Sequence, residues 1–234
     1  MDTYGNRGTT GGDAPHAARY APGMAGEEVL VAVEAHLAAT FGGDIARASV
    51  SFFGVERIDV LRFGPPAGTP GGSPAATATG SGGTPPPGGP VRYATVGMSR
   101  RPMTEPALTP AADPDAGPRA EIVLTLAEPR DSVLRRLAVL AATPVVDGLV
   151  LAPDGTVELG EPLWDGAGCT AVLVEPPAIP PVRAGDRTVD LLPVTPITAA
   201  ELAYRRVHGA AALRAAWQAA GTDLADPDRG TVPL

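Results

Sequence analysis

The sequence predicts an α+β domain, with a mixed and largely antiparallel sheet carrying two to three packed helices. Three observations lead there. Two apolar β-like runs, Val50–Val55 and Ile58–Phe63, follow one another with no helical pattern between them. Three other stretches repeat apolar residues at helical spacing. The last of these opens on Thr198 and Glu201, the residue pair of a capping box.

Taken in order, Leu30, Val33, Leu37 and Phe41 place a first helix over about Glu27 to Phe41, with Gly42-Gly43 as its stop. Val50, Phe52, Phe53 and Val55 read as one strand, and Ile58, Val60, Leu61 and Phe63 as the next. A tract of only Gly, Pro, Ala, Ser and Thr over 64–90 then interrupts the β connection. It reads as an insertion, because loop-closure cost grows slowly with length; deleting 65–89 is expected to leave stability nearly unchanged. The chain returns as the strand Val91–Val96, passes a second Pro-rich stretch at 104–118, and continues as the strand Ala120–Leu126. Asp131 is placed to cap the next helix, whose inward residues are Val133, Leu134, Leu137, Leu140 and Ala141, and Pro144 should end it. Val157–Leu163 reads as a short edge strand, since Pro and Gly suit edges. Thr170–Glu175 is apolar enough to lie inside the sheet, covered on both faces. Thr188–Val194 is the last strand. Ile197 and Leu202 are spaced for a hydrophobic staple on the final helix, which runs through Tyr204, Val207, Leu213 and Trp217. Gly209 is a candidate break in that helix and Gly221 its end.

These segments amount to one domain over 26–230, preceded by a Gly- and Thr-rich tail, 1–25, with no apolar periodicity. Met24, just ahead of the first helix, is a candidate start of translation. The chain has 234 residues and a formal net charge of −8, with arginine as its only strongly basic residue type. That balance argues against a general nucleic-acid binder, which needs a basic face, and suits a basic partner. A single Cys169 excludes an internal disulfide framework. No membrane-length apolar run and no signal-like segment occur, so cytoplasmic localisation is the expectation, with no membrane partner.

Catalytic constellations are hard to assemble. The three histidines, His16, His36 and His208, have no metal-ligand spacing, and no metal or other cofactor is expected. Cys169 opens an apolar strand, which favours a buried thiol over a nucleophile. Gly97-Met98-Ser99-Arg100 lacks the second glycine of a nucleophile elbow. The most shaped segment is Tyr93–Met103, where a strand stops at Gly97, turns through Met98-Ser99, presents Arg100 and Arg101, and is closed by Pro102. The tandem arginines can pair bidentately with carboxylates on a partner or within the domain. Trp164-Asp165, in a Gly- and Pro-flanked turn, is either an interface anchor or a Trp packed on the core.

Tyr93–Met103 resembles the Gly-Met-Ser/Pro-Met segment of the suppressor-of-fused domain family. Leu191-Leu192-Pro193-Val194-Thr195-Pro196-Ile197-Thr198-Ala199-Ala200-Glu201-Leu202, with Gly209 and Leu213 after it, resembles that family's apolar strand, Pro-Ile-Thr turn and capped helix. Between and beyond them Glu121–Leu126, Gly160–Leu163, Thr170–Val174 and Asp226-Pro227-Asp228-Arg229 follow in the family's order. The resemblance implies an α/β sandwich-like fold and a non-enzymatic protein-binding domain of the small, single-domain bacterial type. Some such domains resemble immunity proteins that neutralise polymorphic toxins, so the implied partner is another protein, in the narrowest reading a basic toxin. The candidate binding residues are Gly97, Met98, Arg100, Arg101, Trp164 and Asp165. The alternative is a small-ligand binder or hydrolase-like enzyme built on the Gly97–Arg101 loop and Cys169.

Overall fold

The computed structural model describes residues 22–42, 44–52, 55–64, 89–104 and 116–234. The N-terminal tail up to residue 21 and most of both low-complexity stretches lie outside these residues.

Helix α1 (Pro22–Phe41) begins five residues before the expected start and ends at Gly42, whose φ of +59° closes it. A hairpin of β1 (Asp44–Phe52) and β2 (Val55–Gly64) follows, then β3 (Val91–Val96), a single 3₁₀ turn (Met98–Arg100) and β4 (Arg119–Leu126). Val55, read from sequence as part of the first strand, opens the second. Helix α2 (Val133–Val146) comes next, then β5 (Thr156–Glu158), β6 (Cys169–Val174), β7 (Val182–Ala184) and β8 (Arg187–Thr198). Helices α3 (Ala199–His208) and α4 (Ala210–Ala219) complete the order.

The strands form one mixed sheet in the order β1-β2-β3-β4-β8-β6-β5, with β7 paired to β8. Every pairing is antiparallel except β4 with β8, which run parallel at the centre. This is the predicted fold class; the described residues hold four α-helices where two to three were expected, in part because Gly209, at φ +87°, divides the last one.

Strand alternation divides the core. Ile58, Val60, Tyr93, Ile122, Leu124 and Leu192 point to the face covered by α2. Leu61, Phe63, Ala94, Val96, Val123 and Leu191 point to the opposite face, where α1 packs Val29, Val33 and Leu37. Further along β8, Ile197 shares the parity of Leu191 and joins Leu202, Leu213 and Trp217 in a third cluster under α3 and α4. Strand β6 is covered on both faces, as its apolar run requires, with Val172 and Val174 in one cluster and Ala171 and Leu173 in another.

Four local readings are corrected. Asp131 does not cap α2; Ser132 holds that position, and the Asp131 carboxylate instead takes Arg62 at 2.6 Å and the Tyr93 hydroxyl at 3.2 Å. Pro144 does not end α2, which runs two residues further. Proline has no N–H for the Leu140 carbonyl four residues back. The Thr143 hydroxyl donates to that carbonyl instead, at 2.8 Å, so the last turn survives. The Pro196-Ile197-Thr198 segment is not a turn but the end of the 12-residue β8, which leads straight into α3. Val207, read as part of the inward helical pattern, is 76% exposed.

Candidate functional site

The Gly97–Arg101 loop is built around Glu121. A charged residue in the apolar β4 is costly to bury without partners, and this one is fully buried. One carboxylate oxygen accepts the Gly97 N–H at 2.8 Å, the Ser99 N–H at 3.0 Å and the Ser99 hydroxyl at 2.7 Å. The other accepts the Thr95 hydroxyl at 2.6 Å. Burial pushes the Glu121 pKa up, and these four donors work against that push. Arg119 completes the wrap by donating to the carbonyls of Ser99 and Arg100 at 2.9 and 2.7 Å. Gly97 sits at φ +140°, and a Cβ there would lie 2.9 Å from the Arg57 carbonyl oxygen. Only glycine lets the loop lie this close to β2.

The loop's candidate residues divide into interior and surface. Gly97 and Met98 are buried. Arg100 is mostly buried and clamps two elements together, reaching Glu27 of α1 at 2.9 Å and Glu56 of β2 at 2.7 Å. Arg101 pairs with the other oxygen of Glu56 at 2.7 Å and leaves 66% of its side chain exposed. Of the two readings of the tandem arginines, the intramolecular one accounts for Arg100 in full. Arg101 alone presents a substantial cationic surface.

Beside this loop runs a small groove between the start of β2 and the last turns of α2. Val55, Ile58, Met98, Ala141 and Val145 give it apolar walls, and Glu56, Arg100 and Arg101 line it with charge. Its enclosed room is about 30 Å³, enough for two or three waters or the tip of one side chain. A small-ligand site at this loop would have little space.

Trp164 packs into the core at 3% exposure, the interior alternative for that residue, while Asp165 is exposed. The Asp165 N–H donates to the Ser132 hydroxyl at 3.1 Å, which ties the turn to the start of α2. The structure therefore places this pair apart from the Gly97–Arg101 groove, lining a separate, polar one with Arg135, Arg136 and Glu161.

A second buried carboxylate escaped the sequence reading except as a helix cap. Glu201 completes the capping box with Thr198 and is fully buried. Arg229 meets it with both terminal guanidinium nitrogens, at 2.8 and 3.1 Å, and Trp217 Nε1 donates to it at 2.9 Å. Burial opposes the charge of Glu201, but Arg229, the Thr198 N–H and Trp217 outweigh it and hold its pKa below the usual range. The same Arg229 donates to the Pro196 carbonyl and lies over the Trp217 ring, 5.7 Å from its centroid. Asp228 next to it holds Arg130 at 2.7 Å, and Thr231 reaches Thr198 at 2.9 Å. The C-terminal segment is thereby strapped across α3, α4 and the end of β8. The sequence signal was present: a Glu at the third position of a cap and an isolated Arg in a Pro-Asp-Arg turn.

Cys169 is buried close to this second cluster, and its thiol pKa is pushed up to about 11, chiefly by burial. A thiol so placed is a poor nucleophile. Among the described residues no group of three or more His, Cys, Asp or Glu could hold a metal ion, and no helix is long and apolar enough to cross a membrane.

The comparisons agree with this geometry. A search of curated proteins finds no match. Among solved structures, a suppressor-of-fused homologue from Neisseria gonorrhoeae is similar with a TM-score of 0.60 and 16% identity, covering 89% of this chain and 98% of that one. The Sufu–Fu complex is similar with a TM-score of 0.58 and 14% identity, over 87% of this chain and 91% of that one. Drosophila Suppressor of Fused matches with a TM-score of 0.53 and 12% identity, over 90% of this chain but 51% of its own length. These likenesses establish the fold. The family model for suppressor of fused protein matches residues 54–230, a span that holds both buried carboxylates, the loop wrapped around the first and the strap tied to the second. The chain belongs to the suppressor of fused protein (SUFU) family.

Proposed function

We propose that this chain is a non-catalytic protein-binding domain acting in the cytoplasm, and more narrowly an immunity protein that neutralises a basic toxin. The observation that carries the reading is family membership together with a related domain solved in complex with another protein, the Sufu–Fu complex. The chemistry of the interior supports it. Six polar side chains within the segments that carry the family resemblance, Thr95, Ser99, Glu121, Thr198, Glu201 and Arg229, are engaged in holding the fold. The thiol that an enzyme reading would use is buried and hard to ionise. The net charge of −8 favours approach of a basic partner at long range.

Co-purification of the tagged chain from its native host tests the reading. A stoichiometric partner, identified by mass spectrometry and toxic when produced without this chain, is the expected result. Repeated recovery of the chain alone would refute it. Arg101→Glu is the better surface control than a change at Arg100, because Arg100 also anchors α1.

A further inference from the structure

Of the exposed large apolar residues on the described surface, Val31, Ile45 and Val207 each sit on a different element and Leu234 lies in the C-terminal segment. Scattered residues of this kind are ordinary. The end of α2 differs. Val145 and Val146 are 46% and 63% exposed, and Leu149, just beyond the helix, is 38% exposed. Val145 also forms one wall of the groove at the Gly97–Arg101 loop, so the apolar surface leads into a recess with Ile58, Met98 and Ala141 beneath it. Met98 is an adaptable floor for a side chain entering from outside.

The charges at the rim decide what fits. The charged groups lining the groove are Glu56, Arg100 and Arg101, and Arg100 is also paired with Glu27 of α1, which leaves Arg101 as the exposed cation at the rim. Both Glu56 oxygens are already used, one by each arginine. Arg101 spends one nitrogen on that contact and keeps most of its side chain in solvent. A carboxylate arriving beside the groove would meet a fork with open donors. A lysine or arginine arriving there would meet Arg101 and a glutamate whose two oxygens each already hold an arginine.

We propose that the α2 end and the Gly97–Arg101 groove form one docking surface for an acidic amphipathic segment of a partner protein. The tip of an apolar side chain of that segment enters the recess, and a neighbouring carboxylate pairs with Arg101. The inference rests on the protein-binding reading above and names the contact chemistry. It is compatible with a partner that is basic overall, because net charge steers approach whereas this patch acts at contact.

The test uses the whole chain and two synthetic peptides with the same Leu and Phe residues, one in a Glu-rich and one in a Lys-rich background. Methyl NMR should show the Glu peptide shifting Met98, Val145 and Val146, with affinity about tenfold above that of the Lys peptide. Arg101→Glu should abolish or reverse that preference, and Val146→Asp should weaken both peptides about tenfold. Both variants must melt like the parent chain, which their exposure allows. Equal binding of the two peptides overturns the proposal, as do shifts centred on the Trp164 turn. Concentration-dependent dimerisation lost in Val146→Asp would also overturn it, by assigning the surface to a second copy. A co-purified partner that binds both variants as it binds the parent removes this groove and leaves the protein-binding reading intact. Absence of any partner refutes that reading separately.

Discussion

Replacing Arg229 by Met removes the cation from a fully buried ion pair and leaves the Glu201 carboxylate in place. Glu201 is 0% exposed and Arg229 is 5% exposed by side chain, so water cannot substitute for the lost partner. The carboxylate would keep the Thr198 N–H at 2.8 Å and Trp217 Nε1 at 2.9 Å, but no charge opposite it. Breaking a buried pair from one side costs about 3–5 kcal/mol. At about 2–4 °C per kcal/mol for a chain of this size, the melting temperature should fall by roughly 6–20 °C. The pH dependence is the sharper signature. In the parent chain the Glu201 pKa lies below its ordinary 4.5. The unfolded state therefore binds the proton more readily, and stability rises with pH through that window. The contribution is fully present above the ordinary value and is lost as pH falls through the folded one. Without Arg229, burial dominates and the pKa moves above the ordinary value, so protonation relieves the uncompensated charge. The deficit relative to the parent should then shrink toward acid. Thermal melts followed by circular dichroism, from neutral pH down to about pH 4, measure both effects. A loss below about 2 °C, or a deficit that does not change with pH, would refute the reasoning. The double variant with Glu201→Gln, completing a mutant cycle, isolates the pair from the packing of the Arg229 stem.

Three further outcomes follow from the same geometry. Gly97→Ala places a Cβ 2.9 Å from the Arg57 carbonyl in a left-handed backbone; a loss of about 1–3 kcal/mol in urea denaturation is expected, and an unchanged midpoint would show that the loop can move away. Glu121→Gln sets an amide NH₂ against a shell of donors and should cost about 1–3 kcal/mol for the group left unpaired, with the largest amide shifts in NMR spectra at Gly97 and Ser99. Cys169, with its thiol pushed up to about 11 by burial, should resist iodoacetamide at mildly alkaline pH until the chain is unfolded. Fast alkylation of the native protein, read by intact mass, would reopen the nucleophile reading.

Much of the fold was legible because local rules and burial agree. Val91–Val96 is a short β-like run cut off by Gly97, and the structure gives β3 the same bounds. Thr198 and Glu201 form the expected capping box because its two bonds span only three residues. The failures have local causes of their own. Pro144 reads as a stop unless Thr143 is known to take over the Leu140 carbonyl. Asp131 reads as a cap because Arg62 and Tyr93, which claim it, lie 69 and 38 residues away. The strand β7, three residues between prolines and a Gly-Asp turn, is too short to carry a period. The site was less legible than the fold for the same reason. Glu121 was visible as a charge in an apolar strand, but its donors come from 22 to 26 residues upstream. Glu201 was visible as a cap, whereas Arg229 reaches it across 28 residues.

That distribution bears on where binding specificity resides. The segments that carry the family resemblance converge on two buried carboxylates, one shaping the Gly97–Arg101 loop and the other strapping the C-terminal segment to α3 and α4. The polar atoms gathered around these two carboxylates face inward and are paired, so they define a scaffold and leave little for a partner to read. An exposed side chain can change without disturbing either cluster, provided that it is not one of their ligands. Val145, Val146 and Arg101 meet that condition, with Val145 and Arg101 lining the groove beside the loop built on Glu121. A fixed support under surface residues that can be exchanged freely is how one fold can serve different partners. Partner choice in this chain should therefore respond to changes at Arg101 and Val146 that leave its melting temperature unaltered. Changes at Glu121 or Glu201 should instead lower stability and binding together.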